Sequence, residues 1–440
     1  MNNKKWMAIL LGGIMAASLA APCSVSAAEK TTLTFWHAMG GTNGEVLQQI
    51  VDDFNASQDE IEIKAEYQGT YDDTITKLKA AMQSDSGLPD VCQMYDVGTK
   101  FMYDSGAVIP VEDKFESTGY DKSSVMDVIS SYYTVEGKQY AMPFNVSTPM
   151  LYYNKDVFEA AGLDPETPPT TYDEVLEDAK KIVESGAAPV GYSQAIYGWF
   201  FEQQLAGLGV TYGNNDNGRT EAVTAVDFDS NGGGLKVFDM WKKLYDSGYF
   251  EDYGTTTADT QTAFFSGQVG MIIESTAILK NAVDSSPFEV GTGYLPRIEQ
   301  NDEGGVIIGG GSLWIPDTGD QDKENAAWKF IEYITTPDVQ AKWSMGTGYF
   351  AINEKAYETE DMKAYLKENP NFETAINQLK DSPVNCNTAG VLSGVQTEAR
   401  LTFNEIMPQV YDGKLTTQDA VDQLAASVNK AIENYNESIK

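Results

Sequence analysis

The sequence has few cysteines, a single histidine and few positive charges. Of its 440 residues 3 are cysteine and 1 is histidine, and 30 Lys and Arg face 65 Asp and Glu, a formal net charge of −35. The cysteines are too few for a disulfide framework and have no metal-ligand spacing. A lone His37 excludes histidine-based zinc motifs, and no metal or other cofactor is predicted. Because so acidic a surface repels phosphate backbones, nucleic acid is not expected as a partner.

Motifs of catalysis and of phosphate binding are also missing. A Ser-His-Asp arrangement would have to use His37, which has no nucleophile elbow nearby and is better explained as a hydrogen-bonded residue at a strand end. The glycines at 304–305 and 309–311 lack the GK[ST] ending of a P-loop. The loop from Asp227 begins like a calcium loop, but Phe238 stands where the bidentate Glu belongs, which favours a plain turn. Carboxylate pairs are compatible with so acidic a chain, so a secreted hydrolase stays a distant alternative.

The first segment predicts export. Lys4 and Lys5 precede an apolar run from Trp6 to Ala21, and the small residues Val25-Ser26-Ala27-Ala28 resemble a signal-peptide cleavage site. Residues 1–27 are therefore assigned to a signal peptide. Its removal takes the net charge from −35 to −37, because the two lysines are lost. The run is shorter than the roughly 20 apolar residues of a membrane span, and no later run approaches that length.

Cys23 leaves two routes of export open. Leu19-Ala20-Ala21-Pro22-Cys23 is a distorted version of a lipoprotein motif, with the leucine one place too early and a proline before the cysteine. Simple secretion is favoured over a lipid anchor at Cys23. In both cases the protein is expected in the periplasm or on the outer face of the cytoplasmic membrane. The remaining Cys92 and Cys386 are expected to be buried as small hydrophobic residues.

Alternating strand and helix patterns predict an α/β fold. A turn at 40–43 separates the first strand from the first helix, and a second α/β region begins near Asn145 with a proline-rich loop at 164–171. The βαβαβ order implies parallel strands with ligands at their carboxyl ends. Thr416 and Asp419 are placed to form a capping box before the last helix. Strands are predicted at 33–35, 61–65, 91–95, 151–153, 269–273 and 305–315, and helices at 47–54, 75–82, 175–183, 327–334 and 421–432.

Several short motifs are spread over nearly the whole mature chain. They are Phe35-Trp36-His37-Ala38-Met39, Tyr67-Gln68-Gly69-Thr70-Tyr71, 93–99, 144–149, 151–156, 307–314 and Thr347-Gly348-Tyr349. The most specific are Trp-His after the first strand, Tyr-x-Gly-x-Tyr and Ile-Ile-Gly-Gly. Together these motifs resemble the sn-glycerol-3-phosphate-binding receptors of ABC importers, within family 1 of the extracellular solute-binding proteins.

The resemblance implies two α/β lobes joined by a multi-strand hinge, with a ligand closed between them. Lobe 1 would comprise residues 29–145 and 311–350, and lobe 2 residues 146–306 and 354–440. The implied function is a receptor, not an enzyme, which captures sn-glycerol 3-phosphate or a glycerophosphodiester and delivers it to the permease. The implied partners are that small ligand and the permease subunits of the importer, and the receptor itself is expected to be a monomer.

The resemblance also carries the family's ligand contacts onto seven positions of this sequence. Hydroxyl donors are expected at Tyr71, Ser147, Ser275 and Tyr349, a backbone N–H donor at Gly310, and the guanidinium partner of phosphate at Arg400. Asp96 stands where the family usually has glutamate, and its carboxylate would accept from glycerol hydroxyls. Tyr172 stands next to the site, where the family can have tryptophan.

A sugar or oligosaccharide receptor of the same fold is the alternative function. The 24 tyrosines and 7 tryptophans suit a cleft that stacks on a sugar or polyol or surrounds a choline-like cation. A phosphate monoester offers only acceptor oxygens when fully ionised, which matches the neutral donors and the single arginine of the seven positions.

Overall fold

The structure, a computed structural model, describes residues 30–84 and 87–439. The predicted signal peptide and Cys23 lie outside these residues. The strands are β1 Thr31–His37, β2 Ile61–Tyr67, β3 Val91–Tyr95, β4 Val108–Ile109, β5 Thr134–Val135, β6 Lys138–Gln139, β7 Met142–Ser147, β8 Pro149–Asn154, β9 Val190–Ser193, β10 Val269–Ser275, β11 Val290–Gly293 and β12 Gly309–Pro316.

Helices follow most of the strands. They are α1 Gly41–Ser57, α2 Tyr71–Ser84, α3 Thr99–Asp104, α4 Val111–Thr118, α5 Asp127–Ser130, α6 Lys155–Ala160, α7 Tyr172–Ser185, α8 Gly198–Gly207, α9 Asn214–Gly218, α10 Gly233–Asp246, α11 Thr257–Phe265, α12 Leu279–Ser285, α13 Gln321–Ile334, α14 Pro337–Thr347, α15 Glu360–Glu368, α16 Asn371–Asp381, α17 Gln396–Tyr411 and α18 Thr417–Ser438. Short 3-10 turns lie at Asp96–Gly98, Lys122–Ser124, Ser131–Tyr133, Thr276–Ile278 and Glu354–Glu358.

The first sheet has the strand order β2-β1-β3-β12-β4, with β7 also paired to β12. The predicted βαβαβ order is confirmed, because β1 runs parallel to both β2 and β3. β12 returns antiparallel to β3, β4 and β7. The carboxyl ends of β1, β2 and β3 therefore lie at one edge, where Asp96 and the start of α2 follow directly.

The second sheet has the order β11-β8-β10-β9, in which only β9 and β10 are parallel. Both faces of this sheet are covered. On β8, Leu151 and Tyr153 pack into one core, and Tyr152 between them packs into the other. This alternation follows from the two-residue period of a strand.

The chain passes between the two sheets at several points. β7 ends the first sheet at Ser147, and β8 enters the second at Pro149. The segment 294–308 leads back from β11 to β12. Gln378 of α16 links two of these crossings, because its amide donates to the Pro149 carbonyl at 2.7 Å and accepts from the Leu295 N–H at 2.5 Å. The exact limits of the two lobes stay a prediction.

Local sequence signals account for several element ends. Thr416 and Asp419 form the predicted capping box at the start of α18, and Thr171 and Glu174 form another at the start of α7. The predicted turn at 40–43 is shorter in the structure, because α1 already begins at Gly41. The run predicted as a strand from residue 305 pairs only from Gly309 onward.

The cysteine prediction is confirmed for one residue only. Cys92 is buried in β3, whereas Cys386 is only partly buried.

Among residues 30–84 and 87–439, no helix combines the length and the apolar character that crossing a membrane requires.

His37 ends β1, as predicted, and its Nδ1 accepts a hydrogen bond from the Met39 N–H at 3.3 Å. Burial lowers the pKa of His37 from 6.5 to about 4. Because the unfolded chain takes up this proton first, His37 reduces the stability as the pH falls from about 6.5 to about 4.

We expect the ring protons of His37 to titrate near pH 4 in the folded protein. The chain has a single histidine, so one pair of NMR signals reports on it once any purification tag has been removed. The urea-unfolded chain is the control and should titrate near the ordinary histidine value. A folded-state midpoint near 6.5 would contradict the burial of this ring.

Candidate ligand-binding site

Arg400 lies on α17 and is buried, with 8% of its surface exposed. Its helix lies directly against the start of α8. A Cβ added to Gly198 would stand 2.5 Å from the Arg400 Cα, so a glycine is required for this approach. The Gly198 N–H donates to the Asn404 side chain at 2.9 Å, which fixes the two helices further.

Two carboxylates share the Arg400 guanidinium. Nε and Nη2 donate to the two oxygens of Glu202 on α8, each at 2.7 Å. Nη2 and Nη1 donate to the two oxygens of Asp96 at 2.9 and 3.5 Å. Asp96 follows β3 of the first sheet, whereas Glu202 and Arg400 lie on helices around the second core. We call these three residues the ion cluster.

The ion cluster carries a net negative charge. All four carboxylate oxygens accept N–H groups, as ionised carboxylates do, so two negative charges face one positive charge. Burial lowers the pKa of Arg400, but the charges of Asp96 and Glu202 outweigh it and hold that pKa well above its usual value. Burial raises the pKa of Glu202, and the charge of Arg400 opposes this shift.

These contacts occupy most of the guanidinium. They use four of its five N–H groups and leave one, on Nη1, without a partner among the described residues. Gln396, one turn before Arg400, donates to the Glu202 carboxylate at 2.9 Å and strengthens that side of the ion cluster.

Tyr71, Tyr349 and Asn145 form a second group, which we call the tyrosine cluster. The Tyr71 hydroxyl accepts from the Asn145 amide at 2.6 Å, and Tyr349 is hydrogen-bonded to both residues. Burial raises the pKa of both phenols, so each keeps its proton. The Tyr71 hydroxyl donates to Tyr349, which leaves the Tyr349 proton for a ligand. Tyr71 also stacks on Tyr95, with ring centroids 5.2 Å apart.

The glycines of β12 allow close backbone approach beside the tyrosine cluster. Gly310 has φ +92°, and an added Cβ would stand 1.8 Å from the Asn145 carbonyl oxygen, so no other residue fits. Its neighbour Gly309 pairs with Ser147 at the end of β7. Ser147 and Gly310, both predicted as ligand contacts, are thus brought together at one end of the β7–β12 pair.

Ser275 ends β10 of the second sheet. Its hydroxyl oxygen accepts from the Ala277 N–H at 3.2 Å and keeps its own proton for donation. The next residue, Thr276, lies against the turn that carries Tyr349, because a Cβ added to Gly348 would stand 2.8 Å from the Thr276 carbonyl oxygen. Ser275 is thus one residue away from the contact between Thr276 and the turn that precedes Tyr349.

Tyr172 is not part of this group of contacts. It begins α7 and packs in the second core, where its ring lies 6.5 Å from that of Tyr192. Its hydroxyl accepts from the Gln204 amide at 2.8 Å. Gln204, together with Pro168, Arg297 and Gln378, lines a separate cavity of about 530 Å³, and none of the seven predicted contacts lines that cavity.

Three residues of the site were not predicted from the sequence. Asn145 and Glu202 are described above, and the third is Trp199, whose ring lies against Gly309. Its buried Nε1 has no hydrogen-bond partner among the described residues. The one available signal was the charge of Glu202 within the otherwise uncharged Gly198–Gly207 helix.

In the described part of the chain, His, Cys, Asp and Glu side chains form no group of three or more that could hold a metal ion.

Comparisons with known proteins agree with this architecture. Residues 49–374 match the family described as bacterial extracellular solute-binding protein. The chain is 31% identical over 417 residues to the sn-glycerol-3-phosphate-binding periplasmic protein UgpB of Escherichia coli K12, with 93% of this chain and 94% of that protein covered.

Solved structures show the same fold. UgpB from Mycobacterium tuberculosis, in complex with glycerophosphocholine, matches with a TM-score of 0.79 and 21% identity over 92% of this chain and 99% of that chain. The cyclic α-maltosyl-1,6-maltose binding protein from Arthrobacter globiformis matches with a TM-score of 0.76 and 25% identity, covering 92% of this chain and 100% of that chain. The predicted family and the predicted two-lobed α/β class are confirmed. This chain therefore belongs to the bacterial extracellular solute-binding proteins, the ligand receptors of ABC importers.

Proposed function

We propose that this chain captures sn-glycerol 3-phosphate or a glycerophosphodiester between its lobes and delivers it to the permease of an ABC importer. The observation that carries the proposal is that Asp96 pairs with Arg400 in the ion cluster, while Tyr71, Tyr349 and Gly310 meet around Asn145. The identity of 31% with the sn-glycerol-3-phosphate-binding protein of E. coli along 93% of the chain supports the same ligand class.

The chemistry of the seven positions suits such a ligand. Phosphoryl oxygens accept hydrogen bonds, and the site offers hydroxyls of tyrosine and serine, the Gly310 N–H and the remaining Nη1 proton of Arg400. These donors are neutral apart from Arg400, so they bind an anion without adding to the charge of the site. The Asp96 carboxylate accepts hydrogen bonds from the glycerol hydroxyls, which replace its hydrogen bonds from Arg400.

The location and the oligomeric state of the receptor are also part of the proposal. We place the mature receptor outside the cytoplasmic membrane as a monomer that contacts the permease subunits. Simple secretion is preferred to a lipid anchor at Cys23, for the reasons given by Leu19 and Pro22 in the sequence. Intact mass of the exported protein distinguishes the two, because an anchored chain would begin at a lipidated Cys23.

A sugar receptor is the second candidate, and the ion cluster is the observation that favours it. Arg400 is already engaged by two carboxylates, and carboxylates accept well from sugar hydroxyls. Tyr71, Tyr95 and Trp199 supply aromatic surface nearby. The relative from Arthrobacter globiformis binds a cyclic maltose-derived sugar.

Calorimetry on the mature chain tests the ligand class. Separate titrations would use sn-glycerol 3-phosphate, glycerophosphocholine and maltose. The proposal predicts saturable binding of at least one of the two phosphate compounds and a thermal stabilisation that grows with its concentration. Binding of maltose alone would establish the sugar receptor instead.

We expect Tyr349→Phe to weaken binding of the phosphate ligand by about 10- to 100-fold, since a hydrogen bond to a charged group contributes roughly 1.5–3 kcal/mol. The ring keeps its stacking on Trp343, 5.6 Å away, so the fold is preserved. Tyr120→Phe is the matched control, because its hydroxyl bonds to Thr335 and Ser124 beside the first core and to none of the predicted ligand contacts. Equal affinities of the two variants would contradict the role of Tyr349.

Trp199→Phe should also weaken binding, by about 10-fold, because the buried indole N–H is assigned to the ligand. The matched control is Trp328→Phe, which removes an equally buried indole whose N–H donates to Thr118 at 3.2 Å. Calorimetry and melting temperatures are compared for both variants. A Trp199→Phe protein with unchanged affinity would show that the indole N–H does not face the ligand.

A further inference from the structure

We infer that Glu202 is a specificity-determining residue, which makes the site prefer a ligand with one negative charge to a ligand with two. The inference rests on the proposed function, because it concerns the phosphate group of the proposed ligand. The site would therefore bind phosphodiester-like monoanions in preference to phosphomonoester dianions.

The two carboxylates of the ion cluster hold different edges of Arg400. Glu202 occupies the edge formed by Nε and Nη2, with both distances at 2.7 Å. Asp96 occupies the edge formed by Nη1 and Nη2, and its Nη1 contact is longer, at 3.5 Å. The proton without a partner also lies on Nη1, so a ligand anion reaches the guanidinium from the Asp96 side.

Glu202 is the carboxylate that stays when the ligand arrives. It lies on α8, which is packed onto the helix of Arg400 through Gly198, and it is held by Gln396 as well. Asp96 comes from the other sheet and has glycerol hydroxyls as alternative donors in the proposed complex. The ligand phosphate therefore meets a guanidinium whose charge is already balanced by Glu202.

The preference follows from Coulomb's law. The repulsion between Glu202 and a ligand phosphate is proportional to the ligand charge, and burial keeps solvent from screening it. The other donors of the site are neutral hydroxyls and a backbone N–H, which do not compensate a second negative charge. The attraction of Arg400 grows with the ligand charge in the same way, but two carboxylates face this one guanidinium. The remaining negative charge therefore makes the repulsive free energy about twice as large for a dianion as for a monoanion.

A charge series of ligands tests this role of Glu202. Calorimetry at pH 8 would compare sn-glycerol 3-phosphate, a dianion because its second phosphate pKa is about 6, with its methyl ester, a monoanion, and with erythritol, which is neutral. In the wild type, the methyl ester should bind more tightly than the monoester. Glu202→Gln should strengthen binding by about 10-fold for the methyl ester and about 100-fold for the monoester, and leave erythritol unchanged.

Two further variants separate charge from structure. Glu202→Asp keeps the charge and should retain the wild-type ratio of the two phosphate affinities. Glu324→Gln removes another buried carboxylate, on α13, and should change neither affinity. Melting temperatures identify any variant that fails to fold, and the wild-type preference for the methyl ester tests the inference without any variant.

The possible failures are distinct. If Glu202→Gln changes the affinities of all three ligands by the same factor, or if the wild type prefers the monoester, the charge-selecting role of Glu202 is overturned and the proposed function stands. If the wild type binds neither phosphate compound, the proposed function is overturned, and the inference about Glu202 with it.

Discussion

The guanidinium of Arg400 is the interaction on which the site depends. It is buried between Asp96, which directly follows a strand of the first sheet, and Glu202, which lies on a helix of the second core. A buried ion pair stabilises a protein only when its geometry and its further hydrogen bonds are good, and removal of one partner leaves a costly unpaired charge. Arg400 thereby connects the end of the first sheet to the helices of the second core, beside the predicted ligand contacts.

The surrounding elements explain why the ion cluster forms. Parallel strands bring Asp96 and the start of α2 to one edge of the first sheet, and β7 and β12 bring Asn145 and Gly310 beside them. Glycine is required at Gly198 and Gly310, where a side chain would strike Arg400 or the backbone of Asn145. The result is a site with many neutral donors and one arginine whose charge is already shared, which makes ligand charge the property that it discriminates.

The sequence predicted the elements with strong local signals. The βαβαβ order and the capping box of Thr416 and Asp419 needed only periodicity and cap residues, and resemblance placed the seven contacts. The pairing of Asp96 with Arg400 joins residues 304 positions apart, which no local pattern encodes. Glu202 and Trp199 were not predicted, because nearly every residue of α8 is buried and its sequence resembles that of an ordinary core helix. Only the three-dimensional neighbours of the carboxylate and of the indole N–H show that they belong to the site.

A crystal structure of the mature chain with the methyl ester of sn-glycerol 3-phosphate bound tests the central claim most directly. The account predicts the ligand phosphate within hydrogen-bond distance of Arg400 Nη1 and of the tyrosine cluster, with Glu202 still paired to Nε and Nη2. It also predicts that Asp96 has turned to the glycerol hydroxyls. A ligand found instead in the cavity beside Arg297, or a Glu202 released from Arg400, would contradict it.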